Sequence, residues 1–154
     1  MAEYTYRQQL KRYQLAVLAV RRGSRHEFIN GLIAGLLAYD AWRIVPADGG
    51  EDAELMSVLT AAEDDLSWDA LKTLVRDARR FWEENGAELV LASVRRSWYY
   101  LGVDFAANRN GHGTGFWAHD LGEIGDQLSA ACKPWSELFL LWNEETEKWD
   151  VQYG

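Results

Sequence analysis

Hydrophobic positions recur at helical spacing through most of the first hundred residues, then fall into strand spacing and short continuous runs. Leu10, Tyr13, Leu15, Leu18 and Val20 lie among Arg7, Lys11, Arg12 and Gln14, which predicts a helix over residues 3–22 stopped by Gly23. Residues 25–43 are apolar nearly all round, with Phe28, Ile29, Leu32, Ile33, Leu36, Leu37 and Trp42. That pattern predicts a central helix packed on several sides, entered through a Ser24/Glu27 capping box. Gly31 and Gly35, one turn apart, leave room for a second helix to approach, and His26 reads as a solvated first-turn residue. A loop over 46–52 and a short helix over 53–62 follow. Ser67 then caps the best-patterned helix, with Trp68, Leu71, Val75, Ala78 and Trp82 at three- and four-residue steps and Asn85-Gly86 as its end. Leu91, Val94, Trp98 and Leu101 predict a fifth helix closed by Gly102.

From residue 103 the pattern changes. Asn110-Gly111 between two short runs is the signal for a two-residue hairpin turn, whose central residues need positive φ. It predicts an antiparallel hairpin over 103–117, with Arg109 opposite His112 and Phe105 opposite Phe116. One face then carries Phe105, Arg109, His112 and Phe116, and the other Asp104, Gly113, Gly115 and Trp117. A short helix is predicted over 127–133, stopped by Pro134. Leu138 to Trp142 is a continuous apolar run, and Trp149, Val151 and Tyr153 alternate with Asp150 and Gln152 as a return strand. The prediction is one α+β domain over 1–154: a helical part over 1–102, then a hairpin-helix-hairpin part over 103–154, an antiparallel ββαββ unit.

Composition narrows the class. A chain of 154 residues has one-domain length, and its eight Trp, seven Tyr and five Phe predict a core of few but bulky parts. A single cysteine, Cys132, suits a reducing compartment. No leader pattern opens the chain, and the run from Phe28 to Val45 is interrupted by Asn30, Asp40 and Arg43. The expectation is a cytoplasmic protein with no membrane span. The net charge of −8 argues against a nucleic-acid partner and suits one with a basic surface. The acidic stretch 48–65, with Glu83, Glu84 and Glu88, is either a solvated face or a surface offered to such a partner.

Candidate chemistry gathers at the predicted hairpin tip. Arg109 and His112, with the amides of Asn110 and Gly111, form a candidate phosphate or carboxylate site, and Asp104 and Trp117 flank it. The solvated end of a hairpin would need only Gly111. Gly111, Gly113 and Gly115 lack the Lys-Ser/Thr of a phosphate-binding loop. His112, His119, Asp120 and Glu123 have metal-ligand chemistry, but the hairpin separates the histidines by more than ~20 Å, so no metal or other cofactor is expected. Cys132 faces inward and reads as inert.

The stretch Asp104-Phe105, Arg109-Asn110-Gly111-His112-Gly113-Thr114-Gly115-Phe116-Trp117, Leu121-Gly122 and Gly125-Asp126 resembles a motif of small acidic proteins encoded by tailed bacteriophages and prophages. The similarity covers residues 103–137 best. It implies a phage accessory protein in the bacterial cytoplasm and supplies no mechanism. The first expectation is therefore a non-enzymatic factor, of host-takeover or anti-defence type, that binds a host or phage protein. The alternative is a small domain binding an anionic ligand or nucleotide, catalytic or not, through Arg109 and His112.

Overall fold

The computed structural model describes residues 24–46, 53–57 and 65–154, with the side chains of 44–46 and 53–57 excepted. The helix predicted over 3–22, most of the 46–52 loop and most of the acidic stretch lie outside the described residues. The central apolar helix is there: α1 runs over 24–39, with Ser24 already inside it rather than capping it. It ends at residue 39, four residues sooner than its pattern suggested, because Trp42, Ile44 and Val45 are strand formers and enter β1 (Ala41–Pro46). Residues 53–57, predicted as helix, form β2 (Ala53–Ser57), paired antiparallel to β1.

Ser67 caps α2 (Trp68–Ala92) as its sequence demands, its hydroxyl accepting from the Ala70 amide at 3.0 Å. Asn85-Gly86 bends this helix without ending it: Asn85 leaves helical geometry (φ −128°, ψ 23°) while its side-chain amide donates to the Phe81 carbonyl. A new helix, α3 (Trp98–Arg109), opens on Ser97 and runs straight through Gly102. After a loop, a single 3-10 turn (Phe116–Ala118) leads to α4 (Glu123–Ala131). β3 (Leu138–Asn143) and β4 (Lys148–Tyr153) close the chain as the predicted hairpin, with Trp142 opposite Trp149.

The sheet is mixed, in the order β2-β1-β3-β4, with β1 and β3 parallel through Ala41–Leu140 and Trp42–Leu141. The described residues thus contain four α-helices and one four-stranded sheet. The class is α+β, but the ββαββ antiparallel unit and the division at residue 102 do not hold. Strands β1 and β2 lie in the part expected to be helical, and helix α3 occupies the place of the first predicted hairpin.

Asn110-Gly111 ends a helix rather than turning a hairpin, and the reason is physical. Gly111 does take positive φ (+66°), but as the residue after a helix C-cap. The His112 amide donates to the Ala107 carbonyl and the Gly111 amide to Asn108, the paired bonds of a Schellman end. Helix end and hairpin turn both ask for glycine at that φ. The alternation of Val103, Phe105 and Ala107 suggested a strand because α3 is buried on nearly every side, so it has no polar face to set its period. Leu101, Asp104, Phe105, Ala106, Ala107 and Arg109 are all buried.

The core is an aromatic stack. Phe81 lies on Phe105 with ring centroids 4.1 Å apart, Phe28 and Phe116 flank them, and Trp135 meets Phe105 edge-on at 5.1 Å. Phe105 and Phe116 therefore do meet one core, from a helix and a 3-10 turn rather than from paired strands. The expected close approach to α1 is also present. A Cβ on Gly31 would strike the Tyr99 carbonyl and one on Gly102 the Phe28 carbonyl, so α1 and α3 cross backbone to backbone. This crossing sets the end of α1 beside α3.

Candidate functional site

The candidate tip residues separate into two groups. Arg109 and Asn110 are internal. Arg109, 4% exposed, donates from Nη1 to Asp77 on α2 at 3.1 Å and from Nε to the Ser136 carbonyl at 3.0 Å. Its guanidinium also lies over Phe105 and Trp135, about 5 Å from each ring centre. Burial pulls its pKa below the ordinary guanidinium value, and Asp77 opposes that shift. Asn110 mimics a strand, donating to the Leu138 carbonyl and accepting from the Leu138 amide, both at 2.8 Å. These two residues bolt the end of α3 to α2 and β3, and the exposed Arg109–His112 cross-strand pair does not exist. Gly111 is exposed, and Trp117, half exposed, lines a separate depression with Asn108, Asp126 and Lys133.

His112 and Asp104 come together elsewhere. They line a cavity of about 450 Å³ between the end of α1, the outer side of α3 and the loop after it. Its polar walls are Asp40, Arg96, Asp104, His112 and His119, with Tyr39 and Tyr100 as aromatic walls. The volume is that of a small-ligand pocket. The two histidines, which the hairpin would have held far apart, share it because the chain folds back through the 3-10 turn.

Each imidazole is braced by a buried carboxylate. His112 places Nε2 2.8 and 2.9 Å from the two oxygens of Asp40, which is 1% exposed. Asp40 sits where α1 becomes β1, and its carbonyl accepts from the Leu140 amide at 2.8 Å, so the sheet holds its backbone in place. His119 places Nε2 3.2 Å from Asp104, which is 2% exposed. Asp104 is also gripped by Arg96, through Nε at 2.7 Å and Nη2 at 3.0 Å. Burial pushes the Asp104 carboxyl above the ordinary carboxylate value, against the pull of Arg96 and His119. Arg96 stacks over Tyr100 at 5.1 Å, and the Tyr39 ring lies 6.3 Å from that of His112.

Hydrogen-bonded to the Asp40 carboxylate at Nε2, the neutral His112 ring is the Nε2–H tautomer, with its basic lone pair on Nδ1. Asp40 and Arg96 were not singled out by their chemistry in the sequence, and His119 only as one of a candidate metal-ligand set. The available signal was Asp40 itself, an acid inside an apolar run, which demands a partner when buried.

Among the described residues no group of three or more His, Cys, Asp or Glu is placed to hold a metal ion, and no helix is long and apolar enough to cross a membrane. Cys132 is buried, and its thiol is pushed up to about 12 by that burial. Comparison with protein-family models, curated proteins and solved structures gives no match.

Proposed function

We propose that the protein binds a small anionic ligand of nucleotide type in the cavity walled by Arg96, His112 and His119. The observation that carries this reading is the convergence of two imidazoles, each braced by a buried carboxylate, on one ligand-sized space. With Nε and Nη2 of Arg96 engaged by Asp104, Nη1 is the amine left to meet an anion. Tyr39 and Tyr100, 65% and 53% exposed, offer ring faces on which a heterocycle stacks. This is the alternative expected from the sequence, with His112 retained and Arg109 replaced by Arg96 and His119. A thermal-shift screen with nucleotides and sugar phosphates tests it. Ligand at ~100-fold above Kd adds about 2.7 kcal/mol of stability, and His119→Asn with Arg96→Met removes that gain. A flat screen sinks the reading.

A second reading, a phage-type accessory factor that binds a host or phage protein, draws support from the outer face of α2. There Trp68, 70% exposed, lines a groove of about 610 Å³ with Leu71 and Val75, flanked by Lys72, Arg76 and Arg79. An apolar floor with cationic rims suits an acidic protein segment. Its test is salt-sensitive capture of a specific partner that Trp68→Ala abolishes.

A further inference from the structure

We propose that the cavity is catalytic and hydrolyses a small phosphodiester, with His112 and His119 as its general acid–base pair. The proposal rests on the anionic-ligand reading above and adds turnover to it. A passive anion site needs donors and positive charge; two buried carboxylates directly behind its donors would weaken it. They make sense behind rings that must gain and lose a proton, because each carboxylate stabilises the imidazolium as it forms and holds the ring in one tautomer. His112 is hydrogen-bonded to Asp40 at Nε2 and His119 lies with Nε2 3.2 Å from Asp104, so we assign Nδ1 of each ring as the nitrogen that exchanges protons with a substrate.

The two rings differ in their support. Asp104 shares its charge with Arg96, whereas Asp40 has no cation besides His112 among the described residues. We therefore assign His112, which faces the undivided carboxylate, as the acid and His119 as the base. Asp40, Asp104, Arg96 and one imidazolium then sum to zero. A diester with one negative charge enters such a site more readily than a monoester with two, and the monoester product binds more weakly than the substrate.

The reaction balances with water alone. The neutral His119 takes a proton from water as its oxygen bonds to phosphorus. The bond from phosphorus to the leaving oxygen breaks, and the His112 imidazolium gives that oxygen its proton. The products are a phosphate monoester and an alcohol. The rings end with their protonation states exchanged and recover through solvent. Arg96 Nη1 meets a non-bridging oxygen, and the tyrosine rings favour a nucleoside cyclic phosphate over a diester without rings.

The experiment incubates the full chain with adenosine 2′,3′-cyclic phosphate, follows monoester by phosphorus NMR, and measures AMP binding separately by calorimetry. Turnover with a bell-shaped pH profile is expected. His112→Asn and His119→Asn should each lower kcat ~10²–10⁴-fold, with KM changed far less than kcat, while the variants melt cooperatively. Each variant should also lose one limb of the profile, which a merely structural role would not cause. AMP binding without any turnover by the native protein overturns the catalytic proposal and leaves the binding reading standing. Absence of both binding and turnover overturns both. Turnover that persists in the double variant overturns the assignment of the pair.

Discussion

Arg109 on α3 donates to Asp77 on α2 at 3.1 Å, and the same Asp77 carboxylate accepts from the Tyr153 hydroxyl on β4 at 3.2 Å. One buried acid thus joins two helices and the last strand. Removing one member of a buried pair leaves the other charge uncompensated, so Arg109→Ala should cost ~3–5 kcal/mol. Replacing both partners by apolar residues, as in Arg109→Met with Asp77→Leu, should cost less than that single change. Urea denaturation of the three proteins decides. A loss within ~0.5 kcal/mol for Arg109→Ala would be the behaviour of a solvated turn and would contradict this internal role.

What could be read from the chain follows from the range of the interactions involved. The β3–β4 hairpin was legible because its apolar run, turn and alternating return strand are all local. The Ser67 cap and the apolar α1 were legible for the same reason. Helix α3 was not, since a helix buried on most sides loses its period and Gly111 serves a helix end as well as a hairpin. Strand β1 was hidden inside an apolar stretch continuous with α1, and only its pairing with β3, nearly a hundred residues on, makes it a strand. The site was half legible. His112 and Asp104 were marked by their neighbours, but the partner of His112 lies 72 residues away, beyond any local pattern.

The crossing of α1 and α3 yields a second prediction. Gly31 and Gly102 face the other helix's backbone, which cannot yield as a flexible side chain can. Gly31→Ala and Gly102→Ala should each destabilise by ~3 kcal/mol or more through overpacking. Gly111→Ala meets nothing within 4 Å and carries only the cost of a left-handed backbone, ~1–2 kcal/mol. Melting curves that rank the three in the opposite order would show that the helices do not cross at these residues.

Cys132 gives a prediction in pH. Its thiol rises from an ordinary value of 9.0 to about 12 because burial penalises the thiolate. The folded protein therefore keeps a proton that the unfolded chain releases between those values. The thiol's contribution to stability is complete below pH 9 and is lost as pH climbs toward 12. Tyr153, also raised by burial, adds loss of the same sign above pH 10. Stability measured from pH 8 upward should fall more gently in Cys132→Ala than in the native chain. Iodoacetamide at pH 8 should label the native thiol far more slowly than the unfolded one.

The last prediction concerns the pair on which the proposed chemistry depends. Asp40 is almost wholly buried and faces His112 through both carboxylate oxygens, so His112→Ala deprives a buried acceptor of its partner. Such a loss costs ~1–3 kcal/mol, and more when the partner was charged. Asp40→Asn removes the buried charge and should make the same His112→Ala change cheaper. A double-mutant cycle over these two positions should therefore give a coupling of ~1–3 kcal/mol at pH 8. Asp40→Asn alone should also lower kcat in the turnover assay while the protein still melts cooperatively, because the ring then loses the carboxylate that orients it. A coupling within ~0.5 kcal/mol would mean that Asp40 does not depend on the ring, and the bracing on which the proposed chemistry relies would fall with it.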